Sequence, residues 1–323
     1  MDKKGKKKTI ILVCLTILIG ALTAQASASQ YLETVAINAD GTVEPANAPI
    51  RQAGNTYILI ADVGGINVQR SNIILDGNGH TLSGMVSSID SLGNNVTANN
   101  SGGVYLKNVE NVTVQNLIIK NCQTGIFLDR SSKCVIANNT ISGTHAPAPA
   151  FQSTAAIYVW SGNSNYIAEN QLTNNYIGIY IGYESQQHTI TRNNIANSIY
   201  RGISFWDASD SVVFNNNFVN NTVQAFTDED SKSFWDNGSI GNFWSDYNGT
   251  DLNGDSVGDT PYVVNGDNQD NYPLMMQLKE PESTPKPFPI TLVSVASGTA
   301  IATAAVGVGL IVYSRKHRLH PAP

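Results

Sequence analysis

The set of side chains with the plainest ligand chemistry is Asp251-Leu-Asn253-Gly-Asp255-Ser-Val-Gly-Asp259. Oxygen donors alternate there with glycines that permit tight turns, and Ca²⁺ takes six to eight oxygen ligands. The segment departs from an EF-hand loop, because glycine falls at positions four and eight and no glutamate stands at twelve. Asp251, Asn253, Asp255 and Asp259 form a candidate calcium site, and a loop closed by Asx turns is the competing reading.

A second set combines aromatics with carboxylates. Four segments share a Gly/Ala-apolar-x-apolar pattern: Gly125-Ile-Phe-Leu, Ala156-Ile-Tyr-Val, Gly178-Ile-Tyr-Ile and Gly202-Ile-Ser-Phe. If each is a strand, alternation buries Ile126, Ile157, Ile179 and Ile203 and turns Phe127, Tyr158, Tyr180 and Ser204 outward. Two residues further on, Asp129, Trp160, Gly182 and Trp206 face out as well. Phe127, Tyr158, Trp160, Tyr180 and Trp206 then make an exposed aromatic strip with Asp129, Glu184 and Asp207 at its margin. Sugar rings offer apolar C–H faces and hydroxyls, which such a strip suits. The alternative is that long loops cover these rings. Asp129, Glu184 and Asp207 are also the candidate catalytic carboxylates. A glycosidase needs two of them, ~5 Å or ~6.5–9.5 Å apart according to mechanism. A lyase or epimerase needs a base and a cation, for which Arg130, Arg192 and Arg201 are available without a motif around them. Solvated surface carboxylates are the simpler expectation.

The remaining chemistry-bearing residues are scattered. Cys122 and Cys134 are 12 residues apart, about half of a 23-residue repeat that runs through the chain. That puts them on different sides of one coil, too far apart for a disulfide; two small buried thiols are expected. His80 sits in a Gly-rich turn and reads as a hydrogen-bonding residue. Neither His145 and His188 nor Met85, Met275 and Met276 show ligand-like spacing. Asn95, Asn99, Asn111, Asn138, Asn220, Asn237 and Asn248 head Asn-x-Ser/Thr sequons, open to glycans on an exported chain.

What must position these residues is the repeat. An apolar-x-x-Asn-x-apolar pattern recurs at Ile136…Asn139…Ile141, Ile167…Asn170…Leu172, Ile190…Asn193…Ile195 and Val213…Asn216…Phe218, with a compressed copy at Val114…Asn116…Ile118. The common period is 23 residues. The one long interval holds a Pro-rich insert, Thr144 to Ser153. Short alternating strands separated by Asn or Gly cannot bury an apolar face alone, but stacked copies can. The chain has 36 Asn and 27 Gly in 323 residues, which disfavours long helices. The expected fold is all-β, a right-handed parallel β-helix with coils ~4.8 Å apart. Asn suits its corners through left-handed backbone conformations, and stacked Asn amides can bond from coil to coil. A left-handed hexapeptide helix would need a period near 18, and a sandwich would lack a constant one. A Ser/Asn/Gly-rich loop, residues 85–103, interrupts an early coil.

The ends read as targeting segments. Residues 1–28 carry five lysines, an apolar run and Ala-x-Ala sites, as a secretory signal does. Residues 290–313 hold no charge and at ~1.5 Å per residue are long enough to cross a membrane as an α-helix. Arg315, Lys316 and Arg318 follow, placing the tail 314–323 in the cytoplasm and the rest outside. Between the ends lie an N-terminal cap and first coil (29–70), the repeats (71–231), a C-terminal cap with the Asp/Asn-rich loop (232–278) and a Pro-rich linker (279–289). Without signal and tail, 11 basic residues face 24 acidic ones, which argues against nucleic acid as a partner.

Ile74-Leu-Asp-Gly-Asn-Gly-His-Thr-Leu82 and the Asn-centred coils resemble the NosD-like β-helix family of carbohydrate-binding and sugar-hydrolase (CASH) domains, which is pectin-lyase-like. The runs Asn242–Tyr247, Gly258–Tyr262 and Asp270–Met275 resemble the closing segment of archaeal surface members. The resemblance covers roughly residues 31–277. It implies the β-helix firmly and activity weakly, since the family includes binding proteins, sugar-modifying enzymes and a copper-maturation factor. The expectation is a membrane-anchored extracellular protein that binds a polysaccharide or surface glycan. A polysaccharide lyase, epimerase or hydrolase, a structural or adhesion protein, and a copper-delivery factor are the alternatives. Copper is disfavoured by the dispersed His, Cys and Met.

Overall fold

The computed structural model describes residues 31–83, 85–89, 95–99, 103–144 and 154–280. The expected signal, membrane-crossing segment and tail, and His145, lie outside these residues, as does most of the Pro-rich insert and of the linker. Among the described residues there is no helix, and none long and apolar enough to cross a membrane. The chain winds as a right-handed parallel β-helix with three sheets.

Sheet one stacks Val63–Val68, Val104–Lys107, Ile126–Asp129, Ile157–Trp160, Ile177–Gln186, Arg201–Phe214 and Ala225–Thr227. Sheet two stacks Ile74–Asp76, Thr113–Gln115, Val135–Ala137, Tyr166–Ala168 and Thr189–Thr191. Sheet three stacks Thr81–Ser83, Ile118–Lys120, Thr140–Ser142, Gln171–Thr173, Asn194–Ala196 and Asn217–Val219. Registers are unbroken from Asn67 to Trp160 in sheet one. Each inward column is therefore a file of apolar side chains without solvent exposure, such as Ile126, Ile157, Ile179 and Ile203. At the C-terminal end the files change to aromatics: Phe218, Trp244 and Tyr262 stack at 4.4 and 4.2 Å, and Trp235 stands edge-on to Phe205. These large rings close the open end of the solenoid.

Asparagine does two separate jobs. Each regular coil has four left-handed positions, and many are Asn; Asn108, Asn111, Asn116 and Asn121 serve one coil, with φ of 53–57°. The repeat asparagines Asn139, Asn170, Asn193, Asn216 and Asn242 are different. They point inward and bond amide to amide along the solenoid, each Nδ2 donating to the next Oδ1 at 2.9–3.1 Å. For the first four the left-handed corner is the residue before, which need not be Asn: Asn138, Glu169, Arg192 and Asn215. This corrects the compressed copy at Asn116. Asn116 is a corner (φ 57°), and the ladder position of its coil is Leu117, whose N–H donates to Asn139 Oδ1. The ladder ends on Asp270, which accepts from Asn242 N–H at 2.7 Å and Trp244 Nε1 at 2.8 Å. Burial pushes its carboxyl up to about 6, against the lowering effect of these bonds.

One other expectation changes. The segment 85–103 is not wholly loop, since Met85–Ile89 and Asn95–Asn99 pair antiparallel. Thr144 and Thr154, the described residues on either side of 145–153, are both buried.

Candidate functional site

The outer surface of sheet one carries the predicted aromatics in the predicted register. Phe127, Tyr158, Tyr180 and Ser204 are consecutive partners, and so are Asp129, Trp160, Gly182 and Trp206. Parallel in-register pairing stacks equivalent side chains, so ring centroids follow one another at 4.9 Å (Phe127–Tyr158) and 4.7 Å (Tyr158–Tyr180).

The column extends beyond the sequence pattern at both ends. Tyr105 precedes Phe127 at 5.2 Å, and Phe226 follows Ser204 and stacks on Trp206. Tyr183 is also invisible to the alternation. An extra residue in the coil shifts the register between Gly182 and Ser185. The bulge turns Tyr183 into a left-handed conformation, φ 58°, and lays its ring on Trp160, 3.4 Å between centroids. Bulges re-aim side chains in this way. The small residue at 182 matters too: a Cβ there would meet the Tyr180 ring at 2.7 Å.

The strip is not exposed along its whole length, which corrects the expectation for Tyr158. Only 2% of Tyr158 reaches solvent. It is the centre of a separate apolar cluster with Ala155 and Ile177, packed by Phe127, Trp160, Tyr176 and Tyr180. Its neighbours on both coils are rings at van der Waals spacing, so its faces are already occupied. The accessible aromatic area lies toward the C-terminal coils, where Trp206 is 47% exposed, Tyr200 39% and Tyr183 37%.

The three carboxylates separate. Asp129 is buried, accepts Tyr105 O–H at 2.7 Å and takes both Nε and Nη2 of Arg130 at 3.0 and 3.2 Å. Burial raises its pKa, but the Tyr105 bond and Arg130 outweigh that and leave it below the usual carboxylate range. It lies three coils from Trp206, roughly 14 Å at ~4.8 Å per coil. That excludes Asp129 and Asp207 as a glycosidase pair. Glu184 and Asp207 are both exposed left-handed corner residues on adjacent coils. Asp207 N–H donates to Asp228 Oδ2 at 2.9 Å.

The other candidates lie on other elements. In the Asp/Asn-rich loop, Asp251 accepts the N–H of Gly254 and Ser256, Asn253 that of Asp255, and Asp259 that of Leu252. Asn111 and Asn220 are exposed left-handed corners, Asn248 is exposed, and Asn138 is a partly buried corner. Asn237 Oδ1 holds the N–H of Ser239 and Ile240. The side chains of Asn95 and Asn99 lie outside the described residues. Cys122 and Cys134 are both buried.

A copper centre needs soft or clustered donors. His188 is fully enclosed; Nδ1 accepts Asn165 N–H at 3.1 Å, and burial pushes its pKa down to about 4. His80 Nδ1 lies 3.4 Å from Asp62, remote in the coil order from His188. Burial pushes the Cys134 thiol up to about 12. Among the described residues no three His, Cys, Asp or Glu gather as ligands would. These donors do not fit a copper centre.

No curated protein sequence matches the chain. Among solved structures it is similar to the surface protein and adhesin PfbA of Streptococcus pneumoniae, with 16% identity over 53% of this chain and 45% of that one, TM-score 0.37. It is also similar to tailspike protein 2 of bacteriophage CBA120, with 13% identity over 56% and 39%, TM-score 0.34. The periplasmic alginate epimerase AlgG shows 15% identity over 60% and 55%, TM-score 0.28. The chain spans about half the length of the solved structures it matches. Likeness at this level is silent on ligand and chemistry. Residues 40–249, most of the β-helix and more than half of the chain, match the family described as periplasmic copper-binding protein (NosD), and the chain belongs to that family.

Proposed function

We propose that this protein is an extracytoplasmic β-helix, anchored by residues 290–313, that binds a carbohydrate chain along the outer surface of sheet one. One observation carries this reading: Tyr183 and Trp206 present exposed rings on successive coils, flanked by the half-buried Tyr180 and Phe226, where Tyr158 is buried. A coil spacing of ~4.8 Å is close to the advance per sugar of an extended polysaccharide, so consecutive rings can meet consecutive sugars. The site is a surface rather than a pocket, as a polymer requires. A left-handed Tyr183 costs on the order of 1 kcal/mol, which favours a role for its position.

The test is a glycan array with the full-length protein, followed by titration of any hit. Trp206→Ala should weaken binding roughly tenfold or more, about 1.4 kcal/mol or above, with an unchanged melting midpoint. Wild-type protein that binds no glycan, or a W206A variant that binds equally well, defeats the reading. The adjacency of Glu184 and Asp207 supports a second reading, a sugar-cleaving enzyme. Reducing-sugar release from a bound glycan, lost in Glu184→Gln, would establish it.

A further inference from the structure

The outer column of sheet one has a ring on every coil from Tyr105 to Phe226 except at Ser204. What fills that gap is Arg201. Its guanidinium carbon lies 3.5 Å from the centre of the Phe226 ring and 4.4 Å from that of Tyr200. Its Nη1 donates to Ser204 Oγ at 3.2 Å. Ser204 points outward in the register yet has no solvent exposure, because the arginine lies over it.

Arg201 differs from the other arginines of these coils. Arg130 is bound to Asp129 at 3.0 Å and Arg192 to Glu169 at 2.8 Å. Among the described residues Arg201 makes no ion pair. Asp228, on the following coil, has its oxygens turned to the N–H groups of Asp207 and Ser231. A guanidinium has five N–H donors in a planar fork, and stacking occupies its faces while leaving its rim available. In a segment with 24 acidic and 11 basic residues, a cation held rigid, partly exposed and unpaired among aromatics is placed to receive an anion.

Resting on the carbohydrate reading, we propose that Arg201 binds an anionic substituent of a sugar whose ring lies on Tyr180 or Trp206, so that the ligand is an acidic glycan. The substituent is a carboxylate or a sulfate. Ser204 is the specificity device, since a ring at that position would leave no room for the guanidinium over Phe226. The bidentate fork favours planar carboxylate geometry, and the pair is partly shielded by the flanking rings.

The probes are oligosaccharides of several backbones, each in neutral, carboxylated and sulfated form, arrayed against the full-length protein in detergent. Acidic members should dominate the bound set. Arg201→Gln should weaken them tenfold or more and weaken any neutral members far less; Trp206→Ala should weaken both alike. Methyl esterification of a bound carboxylated glycan removes the charge from the ligand without touching the protein, and should give the same loss even if R201Q fails to fold. Preference for the sulfated over the carboxylated series identifies the substituent. Equal binding of neutral and acidic members, or acidic binding untouched by R201Q and by esterification, overturns the proposal and leaves the carbohydrate reading standing. Wild-type protein that binds none of the probes overturns both.

Discussion

Replacing Asn193 by alanine tests whether the internal amide ladder holds the coils together. Asn193 is 1% exposed. Its Oδ1 accepts the N–H of Asn170 at 3.1 Å and Asn170 Nδ2 at 2.9 Å. Its Nδ2 donates to Ile167 O at 2.9 Å, Thr191 O at 3.1 Å and Asn216 Oδ1 at 3.0 Å. Alanine removes all of these. Asn170 Nδ2 keeps Ile136 O and Ala168 O as acceptors, and Asn216 Oδ1 keeps the N–H of residue 193 itself. The backbone N–H of Asn170 loses its partner in a dry interior, which costs about 1–3 kcal/mol, and each other lost bond costs about 1 kcal/mol. The expected loss is on the order of 5–7 kcal/mol, a large share of a total that is typically ~5–15 kcal/mol. Urea unfolding followed by tryptophan fluorescence reads it as a fall in the midpoint, with Trp235 and Trp244 buried in the cap as reporters. The neighbouring Arg192→Ala is the control: it breaks a part-exposed ion pair with Glu169 and a 3.5 Å hydrogen bond to Tyr166 Oη, a surface interaction worth about 0–1 kcal/mol. An N193A variant within about 1 kcal/mol of wild type refutes the ladder as a stabilising element.

Three further outcomes are expected. Asp270 is pushed up to about 6 from 3.8, so the folded protein binds this proton more tightly than the unfolded chain. Its contribution to stability is therefore greatest below about pH 3.8 and is lost as pH rises through about 6; subtracting the pH profile of Asp270→Asn from that of wild type should show this slope, and parallel profiles would contradict it. Cys122 and Cys134 are buried, and burial pushes Cys134 up to about 12, so a thiol reagent at pH 8 should modify neither until urea unfolds the chain; labelling of the native protein would count against a closed, dry core around them. The calcium reading of Asp251, Asn253, Asp255 and Asp259 requires the melting midpoint to rise in millimolar Ca²⁺ and the rise to vanish in Asp251→Asn. An unchanged midpoint leaves a loop closed by its Asx turns alone.

The register of sheet one was legible because two periodicities coincide. Alternation within a strand sets which side chains face out, and a constant coil length sets which of them stack. Both are one-dimensional properties, so Ile126 to Ile203 and Phe127 to Trp206 could be placed by counting. The error at Asn116 has the same origin. Neighbouring asparagines in a coil of 22 rather than 23 residues offer two alignments, and only hydrogen bonding separates a corner from a ladder position. Tyr183 was out of reach for a related reason, because a bulge breaks the counting rule at the residue that it re-aims.

By itself the sequence determined the fold, the stacking order and the identity of most aromatics on the outer face, since repetition turns local patterns into long-range contacts. Only the tertiary structure decided accessibility and partnership. Whether a ring faces solvent or a neighbouring ring, as at Tyr158 and Trp206, depends on what the adjacent coils put beside it. Whether an arginine is paired depends on carboxylates more than twenty residues away, as for Arg192 with Glu169. Solvent exposure and charge pairing are sums over all near neighbours in space, which is why Arg201 stands out in three dimensions and was one arginine among several in the chain.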